Sequence, residues 1–208
     1  MRKFFLILML SATMACTAYD GIAQLFADEN GELFNSLSYS AKYQMLSNYF
    51  GGENGEVLNN LQTTESRILK ITKEYMVVAT SSGKTVELKL VPQAKNDTVI
   101  AVIETVATPV KDSRLSFYDL KWKRLDASQF ITAPQLQDFI LPQAPKDKRE
   151  ELERLVNFVM IEMTFEGEFL VARCNLQDFY LGDDFKHYAQ WVNNRVVYTV
   201  NKGKFKKR

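Results

Sequence analysis

A series of β-rich runs between residues 67 and 125, joined by short turns, constrains the fold of this chain more than any other feature. The runs are rich in valine, isoleucine and threonine, and Ser81-Ser82-Gly83 marks one of the turns. Strands this close in sequence pair antiparallel, because a parallel pair needs a crossover connection of about a dozen residues or more. The sequence therefore predicts antiparallel sheets and argues against a doubly wound parallel sheet.

Hydrophobic patterning within these runs predicts which sheet faces are covered. Residues 67–72 and 75–80 predict a hairpin. Residues 85–91 alternate between apolar and polar, which predicts a strand with one face on the core and one in water. The almost continuously apolar run 98–107 predicts a central strand covered on both faces. In the alternating strand, the side chains expected in water are Thr85, Glu87 and Lys89.

Helical periodicity is found on both sides of these strands. Tyr39, Tyr43, Leu46 and Phe50 recur on one face of a 3.6-residue period, and Ser38 is a suitable N-cap. Shorter helices are predicted around residues 136–140, 147–156 and 183–192, and further strands at 115–118, 122–125, 159–166, 168–175 and 195–200.

The resulting order of helix, strands, helix, strands is that of an α+β fold with antiparallel sheets and packed helices. We expect one domain over residues 24–208, with sub-halves 24–130 and 131–208, and two imperfect helix-plus-meander repeats are an alternative description of it. The remaining segments are predicted to be an extended arm at 24–37, a loop or short helical turn at 52–65, and a frayed basic tail at 202–208.

Residues 1–23 have the three-part pattern of a secretory signal peptide. Arg2 and Lys3 supply the positive charge, and the apolar stretch that follows has no charge until Asp20. That stretch is shorter than the roughly 20 apolar residues of a membrane-spanning helix. We therefore expect an exported protein without a transmembrane segment, located in the periplasm or at the cell surface.

Two processing positions compete. Gly21-Ile22-Ala23 presents small residues at the two positions that a signal peptidase recognises, which predicts a mature start at Gln24. The alternative is a lipidated Cys16. A lipid anchor at Cys16 is disfavoured, because Thr13 stands where lipoprotein processing favours an aliphatic residue.

Charge and cysteine content narrow the function further. The chain has 26 basic and 25 acidic residues, and the signal segment holds Arg2, Lys3 and Asp20, so 24 of each sign remain after it is removed. This balance argues against a nucleic-acid partner, because nucleic-acid binding calls for a basic excess or a basic stripe.

Cys174 is the one cysteine that remains after the signal segment with Cys16 is removed, and its apolar neighbours predict a buried structural thiol.

No motif in the sequence indicates catalysis, a metal site or a cofactor. His187 is the only histidine, whereas a histidine-based triad or zinc site needs further partners. The acidic clusters at 150–153 and 183–184 lie at predicted helix starts, where carboxylates cap free N–H groups. No glycine-rich nucleotide loop is present. We expect no catalytic, metal-binding or cofactor-binding residues, and predict that the chain is not an enzyme.

The most distinctive stretch is Lys111-Asp112-Ser113-Arg114-Leu115-Ser116-Phe117-Tyr118, which Trp122 follows. With this stretch, and with Asp97-Thr98-Val99-Ile100 before it, the chain resembles an exported Bacteroidales family of unknown function. The resemblance implies an envelope location and a compact α+β fold. It implies no activity, so no functional residue follows from it.

Asp112, Arg114, Tyr118 and Trp122 of this stretch are a candidate binding surface. The favoured hypothesis is a non-enzymatic binding or interaction module whose partner is an unknown envelope protein, peptide or glycan. The alternative is a carboxylate-based hydrolase acting on envelope or dietary polymers. Two facing acids with raised pKa values in a concave pocket would favour the hydrolase, whereas a flat or grooved aromatic surface without them would favour the binding module.

Overall fold

The computed structural model of the chain describes residues 19–31, 33–52, 56–59, 64–94, 97–107, 109–155, 159–176 and 183–208. Residues 1–18, with Cys16 and most of the predicted signal peptide, lie outside the described residues. The described ranges contain two antiparallel sheets and four α-helices, so the predicted α+β class is confirmed. The helices are α1 (Gly21–Asp28), α2 (Tyr39–Phe50), α3 (Lys146–Leu155) and α4 (Asp183–Ala189).

The first sheet is a meander in which each of its seven described strands pairs with its sequence neighbours. The predicted hairpin at 67–80 is confirmed, and so is the central strand, since residues 99–103 are buried without a break. The strands are β1 (Glu56–Asn59), β2 (Thr64–Ile71), β3 (Tyr75–Ser81), β4 (Lys84–Pro92), β5 (Thr98–Ala107), β6 (Lys111–Tyr118) and β7 (Arg124–Leu125).

The second sheet is built from residues 161–207. Its four described strands are β8 (Ile161–Glu166), β9 (Phe169–Cys174), β10 (Arg195–Asn201) and β11 (Lys204–Lys207). The predicted frayed tail is wrong for residues 204–207, because they form β11 and bury Phe205. Lys202 and Gly203 both have positive φ, and this tight turn brings the last residues back along β10.

Two hydrophobic cores cover the two faces of the first sheet. The helix-side core joins one face to α1 and α2, and it includes Ile22, Phe26, Met45, Leu46, Val86 and Leu88. The inter-sheet core joins the other face to the second sheet, and it includes Ile103, Phe117, Phe130, Phe165, Leu170 and Phe205.

This second layer corrects the predicted exposure of β4. Glu87 and Lys89 are buried rather than in water, because the second sheet covers the face from which they project. The Lys89 ammonium donates a hydrogen bond to the Gly167 carbonyl oxygen at 2.7 Å, so its charge keeps a polar partner at the edge of the second sheet.

Helix α2 has the predicted bounds, and the Ser38 hydroxyl accepts a hydrogen bond from the Ala41 N–H at 3.2 Å, as an N-cap should. Its buried face matches the predicted one only in part, since Leu46 is buried and Tyr43 packs against the helix-side core. The buried residues are Lys42, Met45 and Leu46, whereas the aromatic residues at its two ends are more than half exposed. Lys42 can face inward because Glu29 supplies a carboxylate and a carbonyl oxygen for its ammonium group.

Two segments predicted to lack regular structure contain an element. The predicted loop or helical turn at 52–65 contains strand β1 and the start of β2. The predicted extended arm at 24–37 begins inside α1, which runs from Gly21. Cleavage before Gln24 would divide this helix after its third residue, and the cleavage position itself stays a prediction.

Candidate functional site: a groove between the two sheets

A ladder of side-chain oxygens joins the two sheets. Strand β8 pairs with β9 on one edge, and its other edge has no strand partner among the described residues. Backbone N–H groups on this second edge donate instead to side chains of the first sheet, which satisfies donors that would be costly to bury unpaired. The pairs are Ile161 with Asp112 Oδ1 at 3.0 Å, Met163 with Ser113 Oγ at 2.9 Å, and Phe165 with Glu87 Oε2 at 3.1 Å.

Glu87 is the buried carboxyl of this ladder. Its Oε2 also accepts a hydrogen bond from the Tyr75 hydroxyl at 2.8 Å. Burial raises the pKa of Glu87 above its usual value, and the hydrogen bonds from Phe165 and Tyr75 act in the opposite direction without overcoming burial. Burial and the nearby Glu87 carboxyl together raise the pKa of the Tyr75 hydroxyl.

This raised pKa predicts a pH-dependent component of stability. Above the ordinary pKa of about 4.5, the folded protein holds the Glu87 proton more tightly than the unfolded chain does. The free energy of unfolding should therefore fall as the pH rises from about 4.5 through the raised folded pKa. Glu87→Gln cannot ionise, so it should remove this component and be more stable than the wild type at pH 7.

Urea unfolding between pH 4 and pH 8 measures this effect in both proteins. The exposed Glu168 offers a matched control, and Glu168→Gln should keep the pH dependence of the wild type. Equal pH dependence in wild type and Glu87→Gln would show that the Glu87 proton does not contribute to stability.

A groove of about 620 Å³ opens beside the ladder. Strand β6 forms one wall, the chain around β8 forms another, and residues 127–134 form the third. Apolar side chains predominate, and no aromatic residue is among its described lining residues. The apolar members are Leu115, Ala127, Ile131, Ala133, Pro134, Val159, Ile161 and Met163.

The β6 wall is an unpaired strand edge. Strand β6 pairs with β5 along its whole length, but β7 reaches only Phe117 and Tyr118 on the other side. Residues 111–116 therefore have no strand partner on that side among the described strands, but the Lys111 carbonyl oxygen accepts a hydrogen bond from the Asn175 side-chain amide, which leaves residues 113–116 as the open part of the edge. Residues 112–115 line the groove, so this stretch of edge faces it.

The four residues of the candidate binding surface divide between two places. Asp112 and Arg114 line the groove, whereas Tyr118 and Trp122 pack on the helix-side core. The Tyr118 and Trp122 rings lie 5.6 Å apart between centroids, and the Trp122 indole N–H donates to the Leu25 carbonyl oxygen at 3.1 Å. Both aromatic residues thus lie on the helix side of the first sheet, where Trp122 is hydrogen-bonded to α1, and neither lines the groove.

The basic side chains of β6 at the rim of the groove form ion pairs. The Arg114 guanidinium binds Glu104, and the Lys84 ammonium approaches the same carboxylate at 3.0 Å. Burial acts to raise the pKa of Glu104, but the bonds from Arg114 and Lys84 outweigh it and hold that pKa below its usual value. On the same strand, the Lys111 ammonium donates to Glu162 Oε1 at 2.7 Å.

A second concavity of about 620 Å³ is lined by residues of β2, β3 and β4 and by Ser82 of the turn between β3 and β4. Its lining comes from the first sheet alone and is mostly polar, with Thr64, Arg67, Ser81 and Thr85 among its residues. The groove beside β6 differs in having walls from both sheets and an exposed strand edge.

The described residues do not form a histidine triad, a reactive cysteine site, a metal site or a pair of facing carboxylates in the groove. His187 is exposed on α4, and burial raises the pKa of the Cys174 thiol to about 11, so that it stays protonated. No three histidine, cysteine or acidic side chains cluster as metal ligands in the described part of the chain. Asp112 is the one carboxyl residue among the described residues that line the groove, and Glu87 does not line it.

The sequence signalled only part of this groove. Its β6 wall lies in the distinctive stretch at residues 111–118. Met163 points inward, as the alternation of apolar and polar residues in the predicted strand 159–166 indicates. The wall at 127–134 has neither helical nor strand periodicity, so no sequence pattern points to Ile131 or Ala133.

No helix in the described ranges has both the length and the apolar character needed to cross a membrane.

A sequence model of the DUF3256 family, described as a protein of unknown function, matches residues 16–205. The chain belongs to the DUF3256 family. The match confirms the predicted membership of a family of unknown function. That residues 111–118 are a distinctive motif of this family stays a prediction. No curated protein matches this DUF3256 chain.

Among solved structures, the DUF3256 chain is similar to a domain of an uncharacterised protein from Porphyromonas gingivalis W83. The TM-score is 0.77 at 19% sequence identity, and the match covers 91% of this chain and 99% of that domain. At this identity the similarity shows the fold and not the function. Porphyromonas gingivalis, the source of that solved domain, belongs to the Bacteroidales, the group to which the resemblance points.

Proposed function

We propose that this chain is an exported envelope protein that binds an extended peptide segment with apolar side chains in the groove beside β6. The observation that carries the proposal is the open edge of β6 at residues 113–116, which forms one wall of a mostly apolar groove. The nearly balanced charge of the chain, with 26 basic and 25 acidic residues, agrees with a partner that is not a nucleic acid.

The β6 edge supplies the backbone part of the recognition. An extended peptide laid along residues 113–116 adds a strand to the first sheet, and its main-chain groups hydrogen-bond to the open part of the β6 edge. Four residues of strand extend over about 13 Å at roughly 3.3 Å per residue. This length suits a short linear segment of a partner protein.

The apolar walls supply the side-chain part. In an extended peptide, alternate side chains point the same way, so every second residue would project toward Leu115, Ile131 and Met163. The rim adds little net charge, since Arg114 and Lys111 are each paired with a glutamate. The groove should therefore select for apolar residues at alternate positions of the peptide.

Two other ligand classes have less support. A glycan site commonly offers flat aromatic rings on which sugars stack, and the described lining residues contain none. Hydrolysis of a glycosidic bond needs two carboxyl groups beside the scissile bond, and Asp112 is the one among the described lining residues. A peptide-binding module without catalysis therefore accounts best for the geometry.

Selection from a library of random linear peptides tests the proposal, with a groove variant and a matched control. Ala133 is exposed in the groove, and Ala94 is exposed outside it. Selected peptides should carry apolar residues at every second position. Ala133→Arg should weaken their binding at least about tenfold, equivalent to 1.4 kcal/mol, whereas Ala94→Arg should leave it unchanged.

Circular dichroism should show that both variants are folded. Failure to select any peptide, or equal binding by the Ala133→Arg and Ala94→Arg variants, would refute the groove as a peptide site. Binding of a glycan array in place of peptides would refute the ligand class.

A further inference from the structure

Helix α1 is part of the folded domain although it begins inside the predicted signal peptide. Ile22, Phe26 and Ala27 are fully buried in the helix-side core, and Ala23 is nearly so. Ile22 and Ala23 both lie before the predicted mature start at Gln24. Cleavage there would remove one of the fully buried side chains that fill the space between the helices and the first sheet.

Specific contacts tie the start of this helix to the sheet. The Ile22 N–H donates to the Lys73 carbonyl oxygen in the turn between β2 and β3, at 3.1 Å. Gly21 has a φ of +57°, and a Cβ at this position would lie 2.3 Å from that same oxygen. Only glycine meets both conditions, because it tolerates positive φ and leaves room for the carbonyl.

The ordered contacts extend back to Tyr19. Its ring stacks on Phe50 at 5.6 Å between centroids and lies 5.9 Å from the Tyr43 ring. Phe50 is the last residue of α2, so Tyr19 connects the chain before α1 to the neighbouring helix. The folded region thus includes the residues from Tyr19 to Ala23 that the predicted cleavage would remove.

Electrostatics also disfavour a chain that starts at Gln24. The new α-amino group carries a positive charge at neutral pH, and it would lie within α1 close to the positive end of the helix dipole. A start at Tyr19 places that charge before the helix and next to Asp20.

We propose that processing takes place on the amino side of Tyr19, so that the mature protein keeps the whole of α1. Cys16-Thr17-Ala18 presents small residues at the third and first positions before Tyr19, as a signal peptidase requires. The family match, which begins at residue 16, includes the residues of the helix start. This inference rests on export, as does the proposed function, but not on the groove.

Intact-mass spectrometry of the full chain, expressed in a Bacteroidales host and purified from its envelope, tests the inference. A mature protein that begins at Tyr19, or at an acylated Cys16, supports it, and the acyl mass distinguishes the two routes. A mature protein that begins at Gln24, or a chain that retains Met1, overturns it.

An Ala18→Arg variant sharpens the result. A charged side chain next to the cut blocks signal peptidase, so this variant should yield no chain that begins at Tyr19, while Ala94→Arg should be processed like the wild type. A variant chain that is still cut directly before Tyr19 would contradict the proposed recognition of Cys16-Thr17-Ala18. A failure here leaves the peptide selection unaffected, so the two proposals fail separately.

Discussion

The Phe117→Ala variant should lose about 3–5 kcal/mol of its free energy of unfolding. Phe117 is fully buried in the inter-sheet core, and its ring stacks on Phe130 with the centroids 4.5 Å apart. It also lies 5.8 Å from the Phe205 ring. One side chain of β6 thereby contacts both the segment at 127–134 and strand β11, and its truncation leaves a cavity where three parts of the chain meet.

Urea unfolding followed by circular dichroism measures this loss. Val106→Ala is a suitable control, because Val106 lies on the neighbouring strand β5 and is about half exposed. Its effect should stay within about 0.5 kcal/mol. A loss below about 1 kcal/mol for Phe117→Ala would mean that the two sheets do not share one closely packed core.

The second large effect concerns the buried ion pair between α1 and α2. Lys42 and Glu29 are both almost fully buried, with the ammonium nitrogen 3.5 Å from Glu29 Oε2. Burial lowers the pKa of Lys42, and the attraction of Glu29 partly offsets this. Glu29→Gln leaves the buried ammonium without its carboxylate and should cost about 3–5 kcal/mol of the free energy of unfolding.

A double-mutant cycle separates the charge from the packing. Lys42→Met should also destabilise, because it leaves Glu29 buried without its cation. The double variant Glu29→Gln/Lys42→Met buries no charge, and its methionine can pack against the rings of Phe26 and Phe34 that flank Lys42. It should recover most of the lost stability, within about 1 kcal/mol of the wild type. Additive losses in the cycle would contradict a coupled pair.

The part of the fold that depends on local sequence was predictable. The hairpins of the first sheet follow from short turns between β-rich runs, and the bounds of α2 follow from Ser38 at its start and Gly51 after its end. These signals act between residues close in sequence, so no knowledge of tertiary packing is needed to interpret them.

The parts that the sequence did not predict depend on distant residues. Alternation in β4 correctly separates its two faces, but it cannot show that the second sheet covers Glu87, whose partner Phe165 is 78 positions away. The groove has the same origin, since its walls come from β6, the segment at 127–134 and the chain around β8. The start of α1 was missed because the small residues at 21–23 fit both a signal peptidase site and a close helix contact.

The most direct test of the peptide-binding account is NMR spectroscopy of the isotope-labelled protein with a selected peptide. Strand addition predicts intermolecular contacts between peptide amide protons and the backbone of Ser113 and Leu115, with alternate peptide side chains close to the Met163 methyl group. Contacts confined to another surface, such as the exposed aromatic side chains Tyr39 and Phe50 of α2, would contradict the account.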